Sequence, residues 1–431
     1  MLEMIKHEFE KARQMIEKHD YARIYAHYDA DGISAASIIS IALMRIGKKV
    51  HVSFLKGLNE EFESDELTIF ADMGSGYPDV ISSIEEDVII VDHHFPVGRI
   101  EKENLAHINP HLAGVDGSFE MSASATAYFF SEYLGNNYDL TALALIGIIG
   151  DKQKLRGGNL EVIKRGLERG YLERREGLKM ISGKIRDVLI YSSEPFLNFY
   201  GKEDELDKFL DEVGIDGEKE FDELSKEEES KLANAVAIRL LKMNCYPGIF
   251  EDVFGEKFYL KNELIKNAVM FSEVVNACGR KSANSVAFAL CMRDENFLDK
   301  AMKVWKEFQE ELLEEVAKRV EEVKEGFCIR YLVMEDAPTT GPIASILSRY
   351  LFSDKPFIAV NVKKDGSVKV SARGNERLAE RLNLGEVMRI AAEKVGGRGG
   401  GHSVAAGANI NSDKVEEFLK EVDRLCCSSL S

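Results

Sequence analysis

The sequence predicts an α/β fold: an N-terminal domain on a mostly parallel sheet, a helical insertion with a long connector helix, and a smaller C-terminal α/β domain. Three observations predict it. Short apolar runs alternate with helical stretches as far as Leu155, a charged stretch of helical periodicity follows, and β-branched runs return from Cys328. Strands alternating with helices call for a parallel sheet covered on both faces. At 431 residues the chain suits two or three domains of about 150 residues each. The composition shifts place them at 1–195, 196–327 and 328–431.

Ala22–Ala26 reads as the first strand, followed by a polar turn and a helix around Ala35–Met44. Val50–Leu55, Leu67–Ala71 and Val88–Val91 are β-branched or aromatic runs suited to buried strands. Small-residue helices are predicted at Ser122–Tyr133 and Leu140–Ile149. Glu203–Lys231, dense in Asp, Glu and Lys, reads as an exposed helical insertion. From Phe297 to Val323 apolar residues recur at helical spacing (Met302, Trp305, Phe308, Leu312, Val316), the packing stripe of one long helix. Strands are predicted again at Ile329–Met334, Pro356–Val362 and Ser367–Ala372, and the Gly-rich Gly396–Gly401 precedes a C-terminal helix.

Acidic residues outnumber basic ones 74 to 56, a net charge of −18. That balance argues against broad duplex binding driven by phosphate neutralisation, yet it suits divalent cations and permits one basic cleft. No apolar run approaches the roughly eighteen residues of a membrane span, and the charged first helix lacks the apolar core of a signal peptide. No membrane partner and a cytoplasmic location are expected. The cysteines at 245, 278, 291, 328, 426 and 427 show neither CxxC nor zinc-site spacing, so free thiols in a reducing compartment are expected.

The chemistry gathers where the first strands end. His27-Tyr-Asp29-Ala-Asp31-Gly32 follows the first strand, Asp72 the third and Asp92-His93-His94 the fourth, while Asp151 follows the small-residue helix Leu140–Ile149. Alternate side chains of an extended stretch point the same way, so His27, Asp29 and Asp31 can converge. In an open parallel sheet these ends share one edge, where ligands bind. An isolated Asp at a strand end is usually a helix cap or turn residue. Four such groups at successive ends are hard to ascribe to capping, and clustered carboxylates need cations to neutralise them. Mixed carboxylate and imidazole donors suit Mn²⁺ and, less selectively, Mg²⁺, Fe²⁺ or Zn²⁺. Their number fits two ions.

HYDADG (27–32), ADMGSG (71–76), VDHH (91–94) and GIIGD (147–151) resemble the four motifs of the DHH phosphoesterase superfamily. GGGHSVAAG (399–407) resembles the signature of the DHH-associated nucleotide-binding domain; with SAR (371–373) and NACGR (276–280) it is similar to the archaeal RecJ-like exonucleases. The resemblance implies two divalent ions, Mn²⁺ first and Mg²⁺ as the alternative. His27, Asp29 and Asp72 would hold one ion and Asp31, Asp72, His93 and Asp151 the other, with Asp72 bridging. His94 would act on the scissile phosphate or on proton transfer, with Asp92 orienting the histidines. Asn276, Arg280, Arg373, Gly399, Gly400, Gly401 and His402 would bind substrate. Ser124 is explained equally well as part of an ordinary helix face, His107 and His111 read as loop residues, and Trp305, Phe352 and Phe357 as core.

The activity so implied is release of mononucleotides from single-stranded DNA or RNA. Two alternatives stand beside it. One is turnover of short oligonucleotides, dinucleotides or 3′-phosphoadenosine phosphate. The other is a replisome scaffold with GINS or other replication proteins as partners, which the intact donor set disfavours.

Overall fold

The computed structural model describes residues 2–98 and 100–430. The chain forms two compact units, Met1–Arg175 with Glu256–Lys306, and Glu176–Gly255 with Glu307–Ser431. The segment 196–327 is thus divided between them.

The first unit is built on a five-stranded parallel sheet. Its strands are β1 (Tyr21–His27), β2 (Lys49–Leu55), β3 (Leu67–Ala71), β4 (Asp87–Val91) and β5 (Leu105–Ile108), in the order β2-β1-β3-β4-β5. β3 is buried throughout and β4 nearly so, which is why both read as continuous apolar runs without alternation. His107, read from sequence as a loop residue, lies buried in β5, its Nε2 2.9 Å from Ser75 Oγ. A four-residue strand containing a histidine carries too little pattern to be recognised.

The helices of this unit include α1 (Leu2–Lys18), α2 (Ala30–Arg45), α3 (Pro78–Ser83), α4 (Ala123–Leu134) and α5 (Thr141–Gly150). α2, α4 and α5 are rich in Ala, Ser, Gly and Ile and are buried over most of their length. Their small side chains permit close packing. A Cβ on Gly147 of α5 would come 2.3 Å from Ser124 Oγ and 2.6 Å from Asp31 Oδ1. The helix Ala268–Arg280 packs on α2 and α5 in the same way, since a Cβ on Gly279 would lie 1.9 Å from the Tyr28 carbonyl oxygen. Arg293 bridges buried Glu263 and Asp139, and Asp139 also accepts from Arg45, so the later segment is tied to the end of α2.

β6 (Leu172–Leu178) and β7 (Phe254–Leu260) form a two-stranded sheet. The second unit contains a six-stranded sheet of β8 (Lys324–Glu325), β9 (Arg330–Glu335), β10 (Phe357–Val362), β11 (Ser367–Arg373), β12 (Arg398–Gly401) and β13 (Ala405–Asn411). Its order is β12-β13-β11-β10-β9-β8, with only β9 and β10 parallel. Val368, Val370, Ala408 and Ile410 share a core with residues of the helices Leu384–Lys394 and Val415–Leu430. The long helix predicted to start at Phe297 runs Leu298–Arg319, with Trp305, Leu312 and Val316 buried.

The expectation of free thiols fails at one pair. Cys328 and Cys427, 99 residues apart, have Cα atoms at 5.3 Å and are joined as a disulfide. Folding creates that proximity, and spacing along the chain cannot reveal it. Cys245, Cys278, Cys291 and Cys426 are buried free thiols. Among the described residues no helix is long and apolar enough to cross a membrane.

The contact at Gly147 yields a stability test. Gly147→Ala overfills the seam between α4 and α5 and is expected to destabilise the fold by about 1–3 kcal/mol. Urea unfolding reads this as a lower midpoint at unchanged slope; an unchanged midpoint would contradict the close packing.

Candidate metal centre

Strand register builds the site. Ala26 of β1 aligns with Ala71 of β3, and Ala71 with Val91 of β4, so His27, Asp72 and Asp92 follow in one row at the carboxyl ends of adjacent strands. The strand order reverses between β1 and β3, the place where open α/β sheets form a ligand crevice. Asp29 caps α2 by accepting the Gly32 N–H at 3.0 Å. Asp31 lies in the first turn of α2, buried, and accepts the N–H groups of Ala123 and Ser124 at 2.8 and 3.0 Å. These amides open α4, so a helix N-terminus faces this carboxylate. Gly32 lets the loop close tightly, because a Cβ there would lie 2.3 Å from the His27 carbonyl oxygen. Asp72 has φ of +58°, a left-handed conformation uncommon outside glycine.

The side chains converge in two groups that share Asp72. His27 Nδ1 is 2.9 Å from Asp29 Oδ2 and 3.4 Å from Asp72 Oδ2. His93 Nε2 is 3.3 Å from Asp72 Oδ1, 3.7 Å from Asp151 Oδ2 and 3.9 Å from Asp31 Oδ2. The donor atoms of His27, Asp29 and Asp72 lie within 4.8 Å of one another, as do those of Asp31, His93 and Asp151, and those of Asp72, His93 and His94. His27 Nδ1 and Asp72 Oδ1 are buried without an aligned hydrogen bond, their near neighbours Asp29 Oδ2 and His93 Nε2 lying at 2.9 and 3.3 Å. Buried polar atoms are normally satisfied, so these two orphans are what a cation would complete. The residues present fit divalent cations.

The electrostatics describe a site short of positive charge. Burial, reinforced by Asp72, pushes the Asp31 carboxyl up to about 7, and the protein packed around Asp151 raises that carboxyl as well. Burial opposes a charged imidazole at His27, but Asp29 and Asp72 overcome it and hold its pKa well above the ordinary value. At His93, burial is likewise outweighed, by Asp72, Asp151 and Asp31. Protons are retained where cations would otherwise serve. Burial would raise Asp29, yet His27, the Gly32 amide and the Arg280 guanidinium hold it below the usual carboxylate range.

Asp92 does different work. It accepts from the amides of Ser75, His93 and His94 at 2.9, 2.8 and 3.1 Å and lies 2.8 Å from His94 Nδ1. Burial would raise its pKa, but His94 and the amide donors push it well below the usual range. His94, opposed by burial and supported by Asp92, is raised to about 9, and its side chain is half-exposed. His93 Nδ1 lies 2.8 Å from the Gly117 carbonyl, a partner that fixes the ring with Nε2 toward the carboxylates.

Several supporting residues escaped the sequence reading. Gln153 Nε2 donates to Asp151 Oδ2 at 3.0 Å and to the Gly117 carbonyl at 2.8 Å, and Asn159 holds Gln153 Oε1 at 2.9 Å. Ser124 serves through its amide, which no residue pattern reveals. Asn276 Oδ1 accepts the Ala30 N–H at 2.9 Å, supporting the loop between His27 and Asp31, and Arg280 is exposed at the end of the same helix.

In the second unit, Arg373 ends β11, where its Nε donates to Ser345 Oγ at 3.1 Å, and His402 is exposed just beyond β12. The three glycines differ. A Cβ on Gly399 would lie 2.3 Å from the Met388 carbonyl oxygen, and one on Gly401 2.6 Å from Ala406 Cα, so both are required by packing. Gly400 meets nothing within 4 Å.

Residues 22–148 match the N-terminal domain of the DHH family and residues 325–427 match the DHHA1 domain. The chain belongs to the DHH phosphoesterase superfamily, in its form with a DHHA1 domain. An uncharacterised protein of Methanocaldococcus jannaschii is 33% identical over 446 aligned residues, covering 99% of this chain and 98% of that one. The single-stranded-DNA-specific exonuclease RecJ of Bacillus subtilis is 25% identical over 262 residues, 53% of this chain and 33% of that protein. Among solved structures, RecJ of Thermus thermophilus in complex with Mn²⁺ matches with a TM-score of 0.63 at 18% identity, over 99% of this chain and 55% of that one. CDC45 of Entamoeba histolytica matches with 0.65 at 15% identity, over 98% of both chains. The chain thus spans about a third of the first RecJ and about half of the second.

Asp92 touches none of the converging carboxylates, so its role can be tested apart from them. Asp92→Asn is expected to weaken Mn²⁺ binding by about 10–100-fold, because the carboxylate fixes the main chain of His93 through its amide. Titration calorimetry of the purified chain measures it, and wild-type affinity in the variant would contradict the role.

Proposed function

We propose that the chain is a two-metal phosphodiesterase that releases mononucleotides from a single strand of DNA or RNA. The observation that carries the reading is the sharing of Asp72, one carboxylate oxygen toward His27 and the other toward His93. His27, Asp29 and Asp72 would hold one ion, and Asp31, Asp72, His93 and Asp151 would hold the other. Mn²⁺ is the first choice and Mg²⁺ the second, as the carboxylate and imidazole donors suit both. Such ions, when bound, lower the pKa of water and offset the charge of a phosphodiester.

The protein's own groups supply the rest. His94 is oriented through Nδ1 by Asp92 and keeps Nε2 to contact the phosphate or to give a proton to the leaving oxygen. Asn276 holds the loop through its oxygen and keeps its amide nitrogen for substrate, and the exposed Arg280 guanidinium can fork onto phosphate. Arg373, Gly399, Gly400, Gly401 and His402 form the nucleotide grip of the second unit, with Gly400 as its open position. The likeness to RecJ proteins supports a single-strand substrate. The likeness to CDC45 over the whole chain favours a second reading, a role among replication proteins such as GINS, which catalysis does not oppose.

The purified chain with Mn²⁺ is expected to release mononucleotides from end-labelled single strands. Asp72→Asn is expected to lower the rate by about 10³-fold or more, since both cation sites lose a ligand. Cleavage confined to dinucleotides would move the substrate to short oligonucleotides, and full activity in the variant would overturn the reading.

A further inference from the structure

The C-terminal sheet carries a basic groove on the face away from its helical core. Pairing across β11, β13 and β12 sets successive rows: Arg373 with Ala405, then Ser371, Gly407 and Gly400, then Lys369, Asn409 and Arg398. The alternate residues Val368, Val370, Ala408 and Ile410 belong to the hydrophobic core, so these rows face the other way. The helix Gly341–Ile346 packs on β10 and β11, while Lys369, Asn409 and Arg398 are exposed. A cavity of about 320 Å³ lies there, lined among others by Lys369, Arg398, Gly400, Gly407 and Asn409.

Its floor and rim point to an anion. Gly400 needs no missing side chain for packing, since a Cβ there meets nothing within 4 Å, and its backbone is outside the left-handed region. Gly407 has only the Val370 carbonyl oxygen near, at 3.2 Å. The pair leaves a shallow floor where a sugar–phosphate chain can approach the backbone. Lys369 and Arg398 make no ion pair or hydrogen bond among the described residues, in a chain where acidic groups outnumber basic ones 74 to 56. Two unneutralised cations in one row, with an Asn between them, suit phosphate recognition. Lys369 lies four residues from Arg373 along β11, about 13 Å at roughly 3.3 Å per residue. A ligand that touches both carries more than one phosphate.

We propose that this groove binds the sugar–phosphate backbone of a single strand, beyond the nucleotide that Arg373 and His402 would hold. It rests on the reading of the chain as an enzyme of nucleic-acid strands and adds where a longer strand gains affinity over a dinucleotide.

The test is fluorescence anisotropy of labelled single strands of increasing length, from a dinucleotide upward, with the full chain in EDTA at several salt concentrations. Affinity is expected to rise with length. The double substitution K369Q/R398Q should weaken the long strand and flatten the salt slope by about 1.4, two phosphate contacts at roughly 0.7 each. N409L changes no charge but puts an apolar side chain between the two cations, and should weaken the long strand several-fold while leaving the slope nearly intact. Thermal melting confirms that both variants fold. Wild-type binding in either folded variant overturns the groove, as does a wild-type protein whose affinity does not grow with length. Hydrolysis of bis(p-nitrophenyl) phosphate with Mn²⁺ separates the two claims. Hydrolysis without length-dependent binding keeps the phosphodiesterase and removes the groove. Length-dependent binding that both variants weaken, without hydrolysis, does the reverse.

Discussion

Asp31 and Asp72 are buried at one sheet edge with Asp151 close by, all within 4 Å of His93 Nε2. Two carboxylates about 4 Å apart repel by roughly 4 kcal/mol at a protein-like dielectric. The first unit is arranged around that repulsion. The amides opening α4 meet Asp31, Gln153 meets Asp151, and His27 and His93 sit between the carboxylates. None of these neutralises the cluster fully, which is why the imidazoles hold protons above their ordinary range and Asp31 is pushed up. Cations would resolve the same conflict with more charge per unit volume, and two buried donor atoms of the cluster lack an aligned hydrogen bond.

The fold delivers these groups through close approach. Small-residue helices α2, α4 and α5 bring the backbone amides of α4 against Asp31, and the absence of a side chain at Gly147 leaves room for that contact. Gly279 does the same beneath the His27–Asp31 loop. The glycines here belong to the cluster as much as its aspartates do, because a methyl group at Gly147 would press on the Asp31 carboxylate and one at Gly279 on the Tyr28 carbonyl.

Much of this was legible in the sequence. The strands that lead to His27, Asp72 and Asp92 are short, largely apolar runs, and acidic residues have no structural need to recur just after three of them. Asp72 as the shared group came from family resemblance; its left-handed backbone and its contacts to both His27 and His93 are not encoded in the residue pattern. Other parts were hidden for physical reasons. Gly117 and the Ala123 and Ser124 amides act through the main chain, which residue identity does not encode. β5 is too short to show a period, and the Cys328–Cys427 pair depends on tertiary proximity. The Gly-rich run looked uniform, yet packing claims Gly399 and Gly401 and leaves Gly400 open.

The central claim is that Asp72 stands between two cation sites. Crystals grown with Mn²⁺ and measured at the manganese absorption edge test it most directly. The account predicts two anomalous peaks flanking the Asp72 carboxylate, one beside His27 and Asp29, the other among Asp31, His93 and Asp151. A single peak, or peaks away from Asp72, would contradict it.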